Sequence, residues 1–101
     1  MSRKEFVIVA DPEIADLIPG YLAKRRDDLP RMKALFEARD LEGLRDLAHR
    51  IHGSAGGYGF GDLTNIARDI EYAARDGKAD DVSRFLDLLE EYLRLVQVTY
   101  E

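Results

Sequence analysis

The sequence predicts an all-α protein: an antiparallel up-and-down four-helix bundle with a short extra N-terminal helix and an extended N-terminal arm. Apolar residues recur at spacings of three and four from residue 11 onward. Capping residues, glycines and prolines divide this pattern into segments, and the short connections between them favour antiparallel neighbours. At 101 residues the chain has room for one hydrophobic core. We therefore expect a single domain over residues 1–101, with the arm at 1–10 and the bundle at 11–101.

The first ten residues lack a helical period. The stretch EFVIVA is rich in β-branched residues, but an isolated strand has no ladder to join. We therefore expect an extended segment packed on the body of the protein. Asp11–Pro12 follows as a cap and a favoured first-turn proline, which predicts a short helix near 12–18.

Two prolines shape the next segment. Pro19 and Pro30 each lack a backbone donor and clash with the preceding helical turn. The sequence therefore predicts a separate second helix near 19–38 that bends around Pro30. Its apolar residues are Leu22, Leu29, Met32, Leu35 and Phe36.

Three further helices follow. Asp40 is the cap of the third, and Gly77 is the natural residue to end the fourth. The last helix begins at Asp80 or Asp81 and extends to about Val96. The third helix carries an apolar stripe of Leu41, Leu44, Leu47, Ala48, Ile51 and Ala55, and the fourth one of Leu63, Ile66, Ala67, Ile70 and Ala74.

Composition excludes several classes of function. The net charge of −5 opposes non-specific binding to nucleic acid, and the absence of cysteine removes disulfides, thiol nucleophiles and cysteine–zinc sites. The apolar run near the N-terminus is too short for a signal peptide or a membrane span. The glycine-rich run GGYGFG matches no nucleotide-binding loop, so we expect no ATP site. The short apolar run predicts a cytoplasmic protein. We also expect it to be a monomer.

The stretch from Leu47 to Gly61, LAHRIHGSAGGYGFG, contains both histidines, and five of its last nine residues are glycine. On a helical wheel His49 lies about 150° from the centre of the apolar arc, so it should face solvent. Gly53 and Gly56 follow at i+4 and i+7 on the same face. A bare surface beside an exposed imidazole suits close approach by another macromolecule. His52 lies on the flank of this face, one turn from His49.

Ala48-His49-Arg50-Ile51-His52-Gly53-Ser54-Ala55, continuing to Gly59-Phe60, resembles the signature of histidine phosphotransfer (HPt) domains. That signature is an alanine–histidine pair, an aliphatic residue two positions later, usually a lysine next, and then glycine and small residues. The resemblance extends upstream to DLIPGYLAKRRDDL and EARDLEGL and downstream to DLTNIARDIEYAARDG. HPt domains carry phosphoryl groups in two-component phosphorelays.

The resemblance implies that His49 accepts a phosphoryl group from a receiver-domain aspartyl-phosphate or a histidine kinase and passes it to a response regulator. The chain would be a phosphocarrier and not an enzyme. It would need no cofactor of its own, because the receiver domain supplies Mg²⁺. His52 replaces the usual lysine and would assist through its charge, although histidine, unlike lysine, changes charge near neutral pH. The expected docking face for the receiver comprises Gly53, Gly56, Arg45 and Arg50.

Two other functions remain open from the residues. His49 and His52, at i and i+3, could share a metal ion, but zinc needs three or four protein ligands. The acids on this face, Glu42 and Asp46, complete only a loose site. The other function is that of a helical adaptor, which keeps a docking surface and performs no phosphoryl chemistry.

Overall fold

The structure is a computed structural model that describes residues 6–100. Helices dominate this part of the chain and confirm the predicted all-α class. Its α-helices are α1 (Ile18–Glu37), α2 (Leu41–Ala55), α3 (Gly61–Arg75) and α4 (Ala79–Leu95), and its strands are β1 (Val7–Val9) and β2 (Gln97–Thr99). Each helix packs against the next in sequence, and α4 also packs against α1, so the four enclose one core. No helix within residues 6–100 combines the length and the apolar character needed to span a bilayer.

The apolar stripes that the sequence predicts for α2 and α3 form the centre of this core. In α2 the stripe residues Leu44, Leu47, Ala48, Ile51 and Ala55 are all buried. The stripe residues of α3 are buried as well, together with Ala73. Because one face of each helix is buried, the opposite face is exposed to solvent. In α2 this exposed face carries His49.

Two of the predicted helix ends are confirmed, whereas α4 begins at Ala79 and not at the predicted Asp80 or Asp81, which lie in its first turn. Asp40 Oδ1 accepts a hydrogen bond from the backbone N–H of Gly43 at 2.8 Å, which satisfies one free donor at the start of α2. Gly77 has φ +71° just after α3, in the left-handed region that glycine enters without steric cost. Gly59 has φ +86° at the end of a 3-10 turn, Gly56–Tyr58, which continues from α2.

The segment before α1 differs from the predicted short helix near 12–18. It forms a turn followed by a single 3-10 turn, Ala15–Leu17, and α1 begins at Ile18. Asp11 Oδ1 accepts from the backbone N–H of Glu13 at 2.9 Å, so Asp11 closes a local turn instead of starting an α-helix. Pro19 lies in the first turn of α1, where its missing donor costs nothing. Pro30 lies inside α1, and the helix continues through it.

The prediction of an arm without a ladder partner was wrong for its described part. β1 pairs in parallel with β2, with Ile8 opposite Val98. Beyond the two strands, Ala10 N–H donates to the carbonyl of Thr99 at 2.8 Å. Parallel strands need a long crossover connection, and here the whole helical bundle supplies it. Residues 1–5 of the expected arm lie outside the described residues.

Candidate functional site

The two histidines lie on the surface of α2, opposite or beside its buried stripe. The side chain of His49 is 69% exposed, as the helical wheel predicts, and that of His52 is 28% exposed. Their ring centroids are 6.3 Å apart, and the rings are nearly perpendicular. A spacing of three residues brings them to neighbouring positions on one helix face.

Glu71 of α3 lies between the two imidazoles. One of its carboxylate oxygens, Oε2, lies 2.9 Å from Nδ1 of His49, and the other, Oε1, lies 2.9 Å from Nδ1 of His52. The position follows from the packing of α3 on α2. Ile70 is buried in the core, so the next residue lies at the edge of the interface, where its side chain is 15% exposed.

The charge on Glu71 decides which ring nitrogen of His49 carries a hydrogen. Burial raises the pKa of Glu71, but hydrogen bonds to His52 and His49 outweigh it, so the pKa lies below its ordinary value. Glu71 is therefore ionised at neutral pH, and an ionised carboxylate only accepts hydrogen bonds. Nδ1 of His49 must then be the donor. In the neutral imidazole the lone pair is consequently on Nε2, the nitrogen that can act as a nucleophile.

The surface next to His49 is bare. Gly53 and Gly56 are both exposed. A Cβ atom built on Gly53 meets nothing within 4 Å, and one on Gly56 comes to 3.6 Å from Oγ1 of Thr64, an ordinary contact. The backbone at Gly53 is helical, so neither its conformation nor a close neighbour requires glycine there.

Aromatic contacts hold this end of α2 against α1. Tyr58 stacks on Tyr21 with ring centroids 4.1 Å apart. The hydroxyl of Tyr21 lies 2.7 Å from Oγ of Ser54. These contacts hold the glycine-rich stretch in place against α1.

The two arginines of the expected docking face lie in different surroundings. Arg45 lies 3.5 Å from its neighbour Asp46 and remains partly exposed. Arg50 lines a groove between α1 and α2, together with Lys24, Arg25, Asp28 and Arg31 of α1. The histidines, by contrast, contact α3. Arg50 therefore lies towards α1 and the histidines towards α3, and the place of Arg50 on a docking face stays a prediction.

Glu71 is a site residue that the helical pattern of the sequence does not predict. The acids that this pattern places near the histidines are Glu42 and Asp46, because both lie on the same helix. Glu71 is 22 residues from His49 in the chain, and the contact depends on how α3 packs on α2. The sequence does contain one indication of this contact: Glu71 directly follows Ile70, which belongs to the apolar stripe of α3.

The same three side chains are the group within residues 6–100 that has the composition and spacing of a metal site. One ligand atom from each of His49, His52 and Glu71 lies within 4.8 Å of the other two. Two imidazole nitrogens and a carboxylate oxygen are ligands that zinc accepts.

Fold and site together define a class of protein: a small helical bundle that presents a solvent-facing histidine, held at Nδ1 by a carboxylate of the neighbouring helix. The Hpt domain family matches residues 16–99, so the chain belongs to this family. Hpt domains serve histidine phosphotransfer in phosphorelays and typically interact with receiver domains and kinases. No match was found among curated proteins or solved structures.

Proposed function

We propose that the chain is a phosphocarrier in which His49 accepts a phosphoryl group on Nε2. The donor is a receiver-domain aspartyl-phosphate or a histidine kinase, and the recipient is a response regulator. The hydrogen bond between His49 Nδ1 and Glu71 at 2.9 Å carries this proposal, because it assigns the lone pair to Nε2 of a largely exposed ring. A neutral imidazole nitrogen is a nucleophile at physiological pH without a separate base.

The transfer step from a receiver proceeds as follows. The lone pair of His49 Nε2 forms a bond to phosphorus while the bond between phosphorus and the aspartyl oxygen breaks. The electron pair of the broken bond leaves with the aspartate carboxylate. The imidazole keeps its hydrogen on Nδ1 and becomes positively charged, and the Glu71 carboxylate at 2.9 Å stabilises that charge. Transfer to the next receiver reverses these changes.

His52 is the auxiliary group in this proposal. It shares the Glu71 carboxylate with His49, and its side chain is one turn away on the same face. When protonated, it adds positive charge beside the incoming phosphoryl group, and phosphoryl transfer depends mainly on positioning and charge neutralisation.

The partner supplies the remaining parts of the active site. In this proposal the receiver domain brings the Mg²⁺ ion as well as the phosphoaspartate, and the chain contributes no cofactor. Gly53 and Gly56 allow the receiver backbone to approach the imidazole, and Arg45 lies on the flank of the contact. We propose that the protein acts as a cytoplasmic monomer.

Replacing the acceptor tests the proposal. His49→Gln should lose all phosphoryl acceptance from a labelled receiver or cognate kinase and should remain folded, because a side chain that is 69% exposed contributes little packing. The measurement is transfer of label, together with thermal melting. The bound label should be lost in acid and survive in base, as expected of a phosphoramidate. His52→Gln is the matched control, and labelling that persists in His49→Gln but disappears in His52→Gln would assign the acceptor to His52.

The adaptor function gives a different result in the same assay. An adaptor would bind a receiver domain but would gain no acid-labile label from any phosphoryl donor. Binding measured by titration calorimetry beside the transfer assay distinguishes the two functions. If the protein binds receivers or kinases but accepts no phosphoryl group from any of them, it is an adaptor and not a phosphocarrier.

A further inference from the structure

We propose that His49, His52 and Glu71 form a binding site for a divalent transition-metal cation, with Zn²⁺ as its representative. We further propose that the bound cation blocks phosphoryl acceptance by His49. The metal site stands on geometry alone, whereas the inhibition rests on the proposed function.

The ligand atoms are already close to the spacing that zinc requires. Each Nδ1 lies 2.9 Å from a Glu71 oxygen, and the three ligand atoms lie within 4.8 Å of one another. Around a tetrahedral zinc ion with bonds of about 2.0–2.1 Å, neighbouring ligand atoms are about 3.4 Å apart. His49 is the most exposed of the three side chains, so its ring can move to close the remaining difference. Water completes the coordination.

The charges also suit a cation. Glu71 brings one negative charge, and each neutral imidazole offers a nitrogen lone pair. A cation at this position replaces the two hydrogen atoms that now link the imidazoles to the carboxylate. A third ligand from α3 makes this a stronger site than the two histidines and the acids of α2 alone, since zinc needs at least three protein ligands.

The inhibition follows from the tautomers of His49. Phosphoryl acceptance at Nε2 requires the lone pair on Nε2 and the hydrogen on Nδ1. Coordination of a metal ion by Nδ1 uses the lone pair on Nδ1, so the hydrogen of the neutral ring must be on Nε2. A nitrogen that carries this hydrogen has no lone pair with which to attack phosphorus. Metal binding and phosphoryl acceptance therefore exclude each other at His49.

The first test is binding of Zn²⁺ alone to the whole chain, measured by equilibrium dialysis and titration calorimetry. We expect one Zn²⁺ per chain, and a dissociation constant at least tenfold higher in Glu71→Gln and in His52→Lys, whose ammonium group has no lone pair to offer. Glu42→Gln is the matched control, because it removes a carboxylate of α2 that does not contact the histidines, and it should bind as the wild type does. Circular dichroism confirms that each variant is helical.

Imidazole ¹⁵N spectra provide an independent readout. Zn²⁺ should shift the Nδ1 resonances of both His49 and His52 and leave the hydrogen on Nε2. No binding by the wild type, or binding that Glu71→Gln and His52→Lys leave unchanged, would overturn the site. Shifts confined to Nε2 would overturn the tautomer argument.

The second test compares phosphoryl acceptance with and without Zn²⁺ within each variant, using the same phosphorylated receiver. The rate for the wild type should fall at least tenfold at saturating Zn²⁺, while the rate for His52→Lys at the same concentration should fall far less, because this variant binds Zn²⁺ at least tenfold more weakly. That variant also reports any effect of Zn²⁺ on the receiver. A wild type that binds Zn²⁺ but never accepts phosphoryl groups would disprove the proposed function and leave the metal site intact. Acceptance that is insensitive to bound Zn²⁺ would disprove the inhibition.

Discussion

At the scale of single residues, Glu71 connects the two histidines, because each of its carboxylate oxygens lies 2.9 Å from one Nδ1. Glu71→Gln replaces one oxygen with an amide NH₂, which cannot accept a hydrogen bond, and it removes the negative charge. We expect phosphoryl acceptance to slow by about tenfold or more, or about 1.4 kcal/mol in activation free energy. Single-turnover transfer from a labelled receiver measures this effect.

Asp69→Asn is the control for Glu71→Gln, since Asp69 lies two residues earlier on α3 and pairs with Arg68. It should accept phosphoryl groups at the wild-type rate. A Glu71→Gln protein that is equally fast would show that the carboxylate does not orient His49.

Gly53 should affect stability and transfer in opposite directions. Its backbone is helical, and an added Cβ meets nothing within 4 Å. Gly53→Ala should therefore stabilise the protein by up to about 1 kcal/mol, through higher helix propensity and a less flexible unfolded chain. Gly53→Gln should also fold, but it should slow transfer because its side chain occupies the surface beside the imidazole.

Thermal melting and phosphoryl transfer, measured on the same samples, check both Gly53 variants. Ala23 of α1 is exposed and helical, so Ala23→Gln is a control for adding a polar side chain far along the sequence from the histidines. If Gly53→Gln transfers as fast as the wild type, the bare surface has no role in docking.

At the scale of elements, the turns that end α1 and α3 use different residues for the same conformation. Arg39 has φ +62° after α1, and Gly77 has φ +71° after α3. A residue with a Cβ is strained in this region, whereas glycine is not. Arg39→Gly should stabilise the protein by about 0.5–1 kcal/mol, and Gly77→Ala should destabilise it by a similar amount.

Chemical denaturation measures the free energy of unfolding of both variants, provided that its dependence on denaturant concentration is the same as in the wild type. Arg39 and Gly77 lie in the turns before α2 and after α3, away from the histidines, so phosphoryl acceptance should not change in either variant. A loss of stability in Arg39→Gly would show that contacts of the arginine side chain outweigh its backbone strain.

At the scale of the whole molecule, the described segments before α1 and after α4 pack together on the helical bundle. Phe6 is buried and lies edge-on to Tyr92 of α4, with ring centroids 4.6 Å apart. Phe6→Ala should cost about 3–5 kcal/mol of stability, because it leaves a cavity in the core. At a temperature where the variant is still folded, phosphoryl acceptance should remain normal, since the histidines contact α3.

Val7→Ala, a change at an exposed position of the same strand, is the control for Phe6→Ala and should cost less than about 1 kcal/mol. Equal losses in the two variants would show that strand pairing, and not the buried ring, holds the N-terminal segment.

Features that depend on short-range patterns could be predicted from the order of the residues alone. The spacing of Leu44, Leu47 and Ile51 specified the buried side of α2, and with it the exposure of His49. The side chain of Asp40 and the left-handed conformation open to Gly77 marked helix ends, because capping involves residues only a few positions apart.

Contacts between residues far apart in the chain depend on how the helices pack, which no local pattern specifies. Glu71 meets the histidines only because α3 packs on α2 in one register, and β1 finds its partner only because the bundle returns the chain to its start. Arg50 faces α1 for the same reason. Helical periodicity predicts which side of a helix is buried. Which other helix lies beside the exposed residues depends on the packing. That packing placed a carboxylate on the His49 imidazole.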